Sequence, residues 1–186
     1  MEKIRLWTIQ TRLAWSVLQE RGVLKGDGRY ADRHFRKPYA WLRGQLKDRI
    51  KGYDGGYPLW LWEKRPDLRR ERYSLGRAKE AVLIVCDLPK SEVVLFDYDS
   101  WHVILNNGYF AHSEAEWDEF DRKLASGEMN SEEWHSLKIK SWERVFDSDE
   151  LLKHPDWHGP GPLRLQGVTR QIALSDVVHA RVFRAR

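Results

Sequence analysis

Two short stretches of this chain are dominated by apolar residues at strand-like spacing, Ile4-Arg5-Leu6-Trp7-Thr8-Ile9-Gln10 and Tyr57-Pro58-Leu59-Trp60-Leu61-Trp62-Glu63. In the second, Trp60 and Trp62 stand two apart and project to one face of a strand, while Leu59 and Leu61 take the other. Both faces are then apolar, which predicts a strand in the interior of its sheet, paired with residues 4–10. Two readings of the tryptophan face stand side by side: a packed core, or a wall of which part lines a pocket.

The rest of the pattern alternates helices with strands. Thr11 opens a helix that Gly22 ends, with Trp15 and Leu18 on one side. Residues 23–33, rich in Gly, Asp and Arg, read as a loop. Phe35, Tyr39, Leu42, Leu46 and Ile50 recur with a period near 3.6 and predict a second helix, ended by Gly52. Ala81–Cys86 is a buried strand and Glu92–Phe96 a shorter one. Asp97–Asn107 reads as a short capped helix. Ser113 begins another that stops at Gly127, and Ser131 opens a third whose apolar positions run from Trp134 to Phe146. The Pro/Gly-rich piece His154–Pro162 reads as a long connection. Leu163–Leu174 and Val177–Phe183 follow as closing strands, with Ser175-Asp176 as a tight turn that predicts antiparallel pairing between them. These elements predict a single α+β domain over residues 1–186, with a mixed or mostly antiparallel central sheet and flanking helices.

Composition changes this picture in few places. Ten tryptophans are far above ordinary usage. A lone cysteine, Cys86, falls within a buried strand and reads as a small core residue. No apolar run approaches a membrane span and the N-terminus does not read as a signal peptide, so a cytoplasmic protein away from the membrane is expected. The net charge of +4 hides an asymmetry: residues 1–80 carry 20 Lys+Arg against 10 Asp+Glu, and residues 112–150 carry 5 against 12. Within the basic part, residues 64–79 form a loop with Arg65, Arg69, Arg70 and Arg72, candidate contacts to nucleic-acid phosphates. Scattered arginines on solvated faces are the alternative.

Metal chemistry finds no support. His154 and His158 have i, i+4 spacing, but Pro155 disfavours the helix that would bring them together, and neither Cys-x-x-Cys nor His-Glu-x-x-His occurs. The densest polar cluster is Asp97-Tyr98-Asp99-Ser100-Trp101-His102, with Asn106 one helical turn beyond His102. On a helix His102 and Asn106 share a face and could present an imidazole and an amide to a ligand. The other reading is a capped helix with Trp101 in the core and His102 at the surface.

Leu6-Trp7-Thr8-Ile9-Gln10, Gly22–Asp27, Tyr57–Trp62, Val94–His102 with Leu105-Asn106, and Ser141–Phe146 resemble, in order, a bacterial family known as domain of unknown function 3841. The match runs nearly end to end. The layout also resembles that of ADP-ribosyltransferases acting on nucleic acid or protein: a first strand with a polar inward residue, a helix, Gly22-Val23-Leu24, then an aromatic second strand. That resemblance implies that Thr8 or Gln10 holds NAD, that Tyr57 and Trp60 stack near its nicotinamide, and that Gln166 orients the ribose. An amide at Gln166 hydrogen-bonds a ribose hydroxyl but cannot act as a general base. The resemblance therefore fits a protein that binds a nucleotide without turning it over as well as it fits a transferase. A non-catalytic module that binds nucleic acid or a protein is the alternative from another class.

Overall fold

The computed structural model describes residues 2–69 and 79–184. It is an α+β protein whose main sheet, among the described residues, has six strands, in the order Val93–Asp97, Leu165–Thr169, Leu59–Trp62, Lys3–Thr11, Glu80–Pro89 and Val177–Arg184. Its strands are β1 (Lys3–Thr11), β3 (Leu59–Trp62), β4 (Glu80–Pro89), β5 (Val93–Asp97), β6 (Leu165–Thr169) and β8 (Val177–Arg184), and β2 (Val23–Lys25) pairs with β7 (Gln171–Ala173) in a separate two-stranded sheet. The β1–β3, β1–β4, β3–β6, β4–β8 and β2–β7 pairs are all antiparallel. Residue contacts divide the chain into two compact units, Met1–Leu95 with Gln166–Arg186, and Phe96–Leu165.

In the first unit, the expected pairing of the two aromatic-rich strands is made, with Trp7 opposite Trp62. The β3 strand is interior, between β1 and β6. One face of the sheet is sealed: Leu6, Leu61, Val82, Ile84 and Cys86 pack there with Leu18 of helix α1 (Arg12–Arg21) and Ile172 of β7. Thr11 caps α1 by accepting from the Ala14 amide, and Gly22, at φ 72°, ends it in the left-handed region that glycine alone adopts freely. Helix α2 (Arg36–Arg49) buries Leu42 and Leu46, as its period requires.

Several expectations are corrected. The loop at 23–33 contains β2. The run Leu163–Leu174 is not one strand: it breaks at Arg170, and β7 leaves the main sheet to pair with β2. The closing strands therefore do not pair with each other; β8 pairs with β4, and Ser175-Asp176 lies in a 3-10 turn (Leu174–Asp176). Of the basic loop, Arg70 and Arg72 lie outside the described residues.

The second unit is mostly helical: α3 (Tyr98–Leu105), α4 (Glu114–Ala125), α5 (Ser131–Ser141), α6 (Ser148–Leu152) and α7 (Pro155–His158). Its interior is Phe96, Trp101, Ile104, Phe110, Trp142, Val145 and Leu151, all buried. Asn130, not Ser131, caps α5, in a reciprocal capping box with Glu133. The predicted apolar arc to Phe146 continues as a 3-10 turn (Trp142–Phe146). Pro155, instead of blocking a helix at 154–158, starts one: the missing amide of proline costs nothing at the first helical position. No helix among the described residues is long and apolar enough to cross a membrane.

Candidate functional site

The residues that the transferase layout implies do not form one pocket. Gln166 pairs with Trp62, and Trp62 with Trp7, so these side chains share a sheet face. Thr8 and Gln10 alternate with Trp7 and project to the opposite face. They are also tied to each other, the Gln10 amide donating to the Thr8 hydroxyl at 2.8 Å. Tyr57 is half-buried and its ring is covered on two sides. Its ring lies against the backbone of Gly28, where a Cβ would sit 2.3 Å from the ring, and the Arg43 guanidinium covers it at 4.9 Å. Trp60 meets Tyr39 edge-on at 6.1 Å. This corrects the expectation that Thr8 or Gln10, Tyr57, Trp60 and Gln166 converge. Of the arginines, Arg65 is exposed, whereas Arg69 is neutralised by Asp67 through bonds of 2.9 Å from both Nε and Nη2.

The other polar cluster does border a cleft. The second unit contains one of about 620 Å³, lined by Asp97, Asp99, Ser100, Val103 and Asn106 from the α3 region and by the loop 108–111. Trp117, Trp157 and His158 complete it. That volume suits a small molecule.

Asp97 builds one wall. One carboxylate oxygen accepts from the Ser100 amide at 2.8 Å, capping α3, and the other accepts from the Arg164 amide at 3.0 Å. Arg164 in turn forks onto Asp99 and lies over the Tyr98 ring at 4.5 Å. The Ser100 hydroxyl is different. The residue is only 5% exposed, but its hydroxyl is not sealed: it borders the cleft and makes no hydrogen bond among the described residues. A hydroxyl left like this is an open hydrogen-bonding position.

The loop at the base of the cleft is held carbonyl by carbonyl. Trp142 Nε1 donates to Gly108 O at 2.7 Å, Arg144 to Phe110 O at 2.9 Å, and Trp157 Nε1 to Ala111 O at 3.0 Å. Irregular backbone away from water needs such partners. Glu116 fixes the same loop from the side, accepting from the Tyr109 hydroxyl at 2.7 Å, from the His112 amide at 2.8 Å and from Arg144. Burial, reinforced by the Glu116 charge and hydrogen bond, pushes the Tyr109 phenol up to about 12. It stays protonated.

His158 stacks on Phe110, with ring centroids 5.3 Å apart, and its Nε2 lies 3.0 Å from His112 Nδ1. One ring of this pair must be the donor and the other the acceptor. Burial, then the neighbouring His112 and His154 rings, lower the His158 pKa to about 4, so it is neutral at physiological pH. Burial also lowers that of His112. No set of three or more His, Cys, Asp or Glu among the described residues is placed to hold a metal ion.

His102 is not in this cleft. Its Nδ1 donates to Tyr98 O at 2.8 Å and its ring packs on Tyr98, which corrects its pairing with Asn106 as a shared ligand-facing pair. Asn106 does line the cleft, although its amide is spent on His102 O at 2.9 Å. The imidazole at the site is His158, and its aromatic rim is Trp117 and Trp157. Sequence spacing pointed to His158 through its i, i+4 relation to His154, but Pro155 was misread. Trp117 carried no such signal, since at helical spacing it reads as core.

A family model describing a domain of unknown function, DUF3841, matches residues 5–177. The chain belongs to this family. No curated protein and no solved structure matches the chain. The family's extent covers the cleft-bearing unit and the main sheet apart from β8, so both are parts of one family pattern.

Proposed function

We propose that this protein binds a small ring-containing ligand, a nucleotide or its ring-bearing fragment, in the cleft of the second unit and holds it without turning it over. The observation that carries the reading is the cleft itself, rimmed by half-exposed tryptophans and bordered by Ser100, whose hydroxyl opens to it and makes no hydrogen bond among the described residues. Aromatic rims supply stacking area and an unspent hydroxyl supplies orientation, the usual division of labour in a ligand pocket. Among the described residues no base hydrogen-bonds the Ser100 hydroxyl to activate it as a nucleophile. The transferase expectation, with NAD as cofactor, keeps only its recognition half. The amide at Gln166 stands on the opposite sheet face from Thr8 and Gln10, so NAD enters here as a candidate ligand of the cleft.

A thermal-shift series with NAD, ADP-ribose, nicotinamide and adenosine tests the proposal, since binding to the folded state raises the melting temperature. The expected result is a rise for at least one ring-bearing compound that is lost in Ser100→Ala. A rise that survives in Ser100→Ala and in Trp117→Ala but vanishes in Trp62→Ala would move the site to the sheet.

A further inference from the structure

The charges around the cleft restrict what can enter it. Among the described residues its lining includes the carboxylates of Asp97 and Asp99 and no lysine or arginine. Asp97 is compensated by backbone amides and Asp99 by Arg164, so neither needs a cation for the fold to stand. Apart from Val103 and the amide of Asn106, the remaining lining is aromatic or small: Trp117 and Trp157 are 38% and 40% exposed, and Tyr109 and Phe110 line it with them. The negative face of an aromatic ring attracts a cation whose charge is spread and weakly hydrated, and nearby carboxylates add to that attraction. With Asp99 balanced by Arg164, phosphate and carboxylate groups meet the charge of Asp97, whose partners are neutral backbone amides. His158 brings no compensating positive charge at neutral pH: its Nε2 is hydrogen-bonded with His112 Nδ1, and burial with the neighbouring His112 and His154 rings lowers its pKa to about 4.

We infer that the group seated in this cleft is an organic cation with delocalised charge, of the N-alkylated pyridinium class, its polar substituent hydrogen-bonded by Ser100. This rests on the reading of the cleft as the ligand site and adds the charge of the ligand. A planar cation lies flat on an indole, and a carboxamide or similar group reaches the Ser100 hydroxyl, which makes no hydrogen bond among the described residues and borders the cleft. A nucleotide carrying such a ring would place its phosphates outside, in solvent.

The test is calorimetric titration of the full chain with N-methylnicotinamide cation, neutral nicotinamide and nicotinate anion, which share one ring. The expected order is cation over neutral amide by about tenfold, with the anion weakest. Asp99→Asn should abolish the preference: it removes a carboxylate and leaves the charge of Arg164 unopposed, while the loss of an exposed ion pair leaves the fold intact. Trp117→Ala, at an exposed position, should weaken the cation more than the neutral ring. Equal binding of cation and neutral amide, or an unchanged preference in Asp99→Asn, overturns the charge inference and leaves the cleft as a ligand site. Failure of all three rings to bind, when adenosine binds in a Trp117-dependent way, overturns the inference alone. Failure of every compound removes both readings.

Discussion

Cys86 and Lys138 show how side chains of reactive type are made structural. Cys86 is fully buried on β4, and burial pushes its thiol up to about 12. The thiolate is then scarce at any working pH, so Cys86 should resist a thiol reagent at pH 8 in the folded protein and react at once in denaturant. Rapid labelling without denaturant would contradict the buried strand. Lys138 is 1% exposed, with its ammonium 3.0 Å from Asn107 Oδ1 and 3.9 Å from the centroid of the Trp134 ring. Its long stem fills core volume while the charge rests on a ring face. Lys138→Ala should cost about 3 kcal/mol through the cavity it leaves, and Lys138→Met less than about 1.5 kcal/mol, since the stem is kept. Equal losses in the two variants, measured by urea denaturation, would mean that the charge matters and the stem does not. Cys86 was legible from its place in an apolar run. Lys138 was not, because a lysine on a helix with two glutamates and a second lysine reads as solvated until its neighbours are known.

At the scale of elements, the short helix α7 decides whether the cleft has an imidazole wall. It is fixed by Trp157 to Ala111 O and by the stacking of His158 on Phe110, with Glu150 bonded to the His154 that precedes it. The groups facing this histidine cluster are Asp97, Glu116, Glu150 and Arg144. Because the folded pKa of His158 lies near 4 against an ordinary 6.5, the unfolded chain binds a proton in that window that the folded chain does not. Stability should therefore be intact above about pH 6.5 and fall as the pH drops towards 4. His158→Gln should flatten that fall relative to wild type when urea midpoints are compared across the window; parallel curves would show that carboxylates alone cause it. A simpler element-level effect belongs to α5, where Asn130→Ala breaks the capping box and should lower stability by about 1 kcal/mol. Helix positions were largely legible, because period and caps are local. The cap at Asn130 was displaced by one residue, since Ser131 is an equally good capping type. Pro155 was misread because proline blocks a helix interior and favours a helix start, and the spacing of His154 and His158 alone does not say which applies.

At the scale of the whole molecule, what could not be read was partner choice. The interior strands β1, β3 and β4 follow from apolar pattern, yet nothing in Leu163–Leu174 signals that its second half pairs with β2 while its first pairs with β3. Strand pairing joins residues far apart in the chain, and a local pattern carries only the fact that a strand is buried. The same limit misplaced the site: Gln166 and Thr8 have the right chain order for a shared pocket, but side-chain parity puts them on opposite faces. The second unit escapes this limit, because its cleft is built by residues 97–158 within one compact segment. Its ends are held together, with Tyr98 N donating to Arg164 O at 2.8 Å and Arg164 N to Asp97 Oδ1 at 3.0 Å. A segment that starts and finishes at one place, with its own buried residues from Phe96 to Leu151, has the anatomy of a folding unit. Residues 96–165 expressed alone should therefore give a helical far-ultraviolet spectrum and a cooperative melt, although a chain of this size is only marginally stable by itself. The isolated segment should also retain whatever ligand the full chain binds in the cleft. A coil-like spectrum in the cold would show that the segment needs the rest of the chain to fold, and binding by the full chain would then have to be tested only in that context.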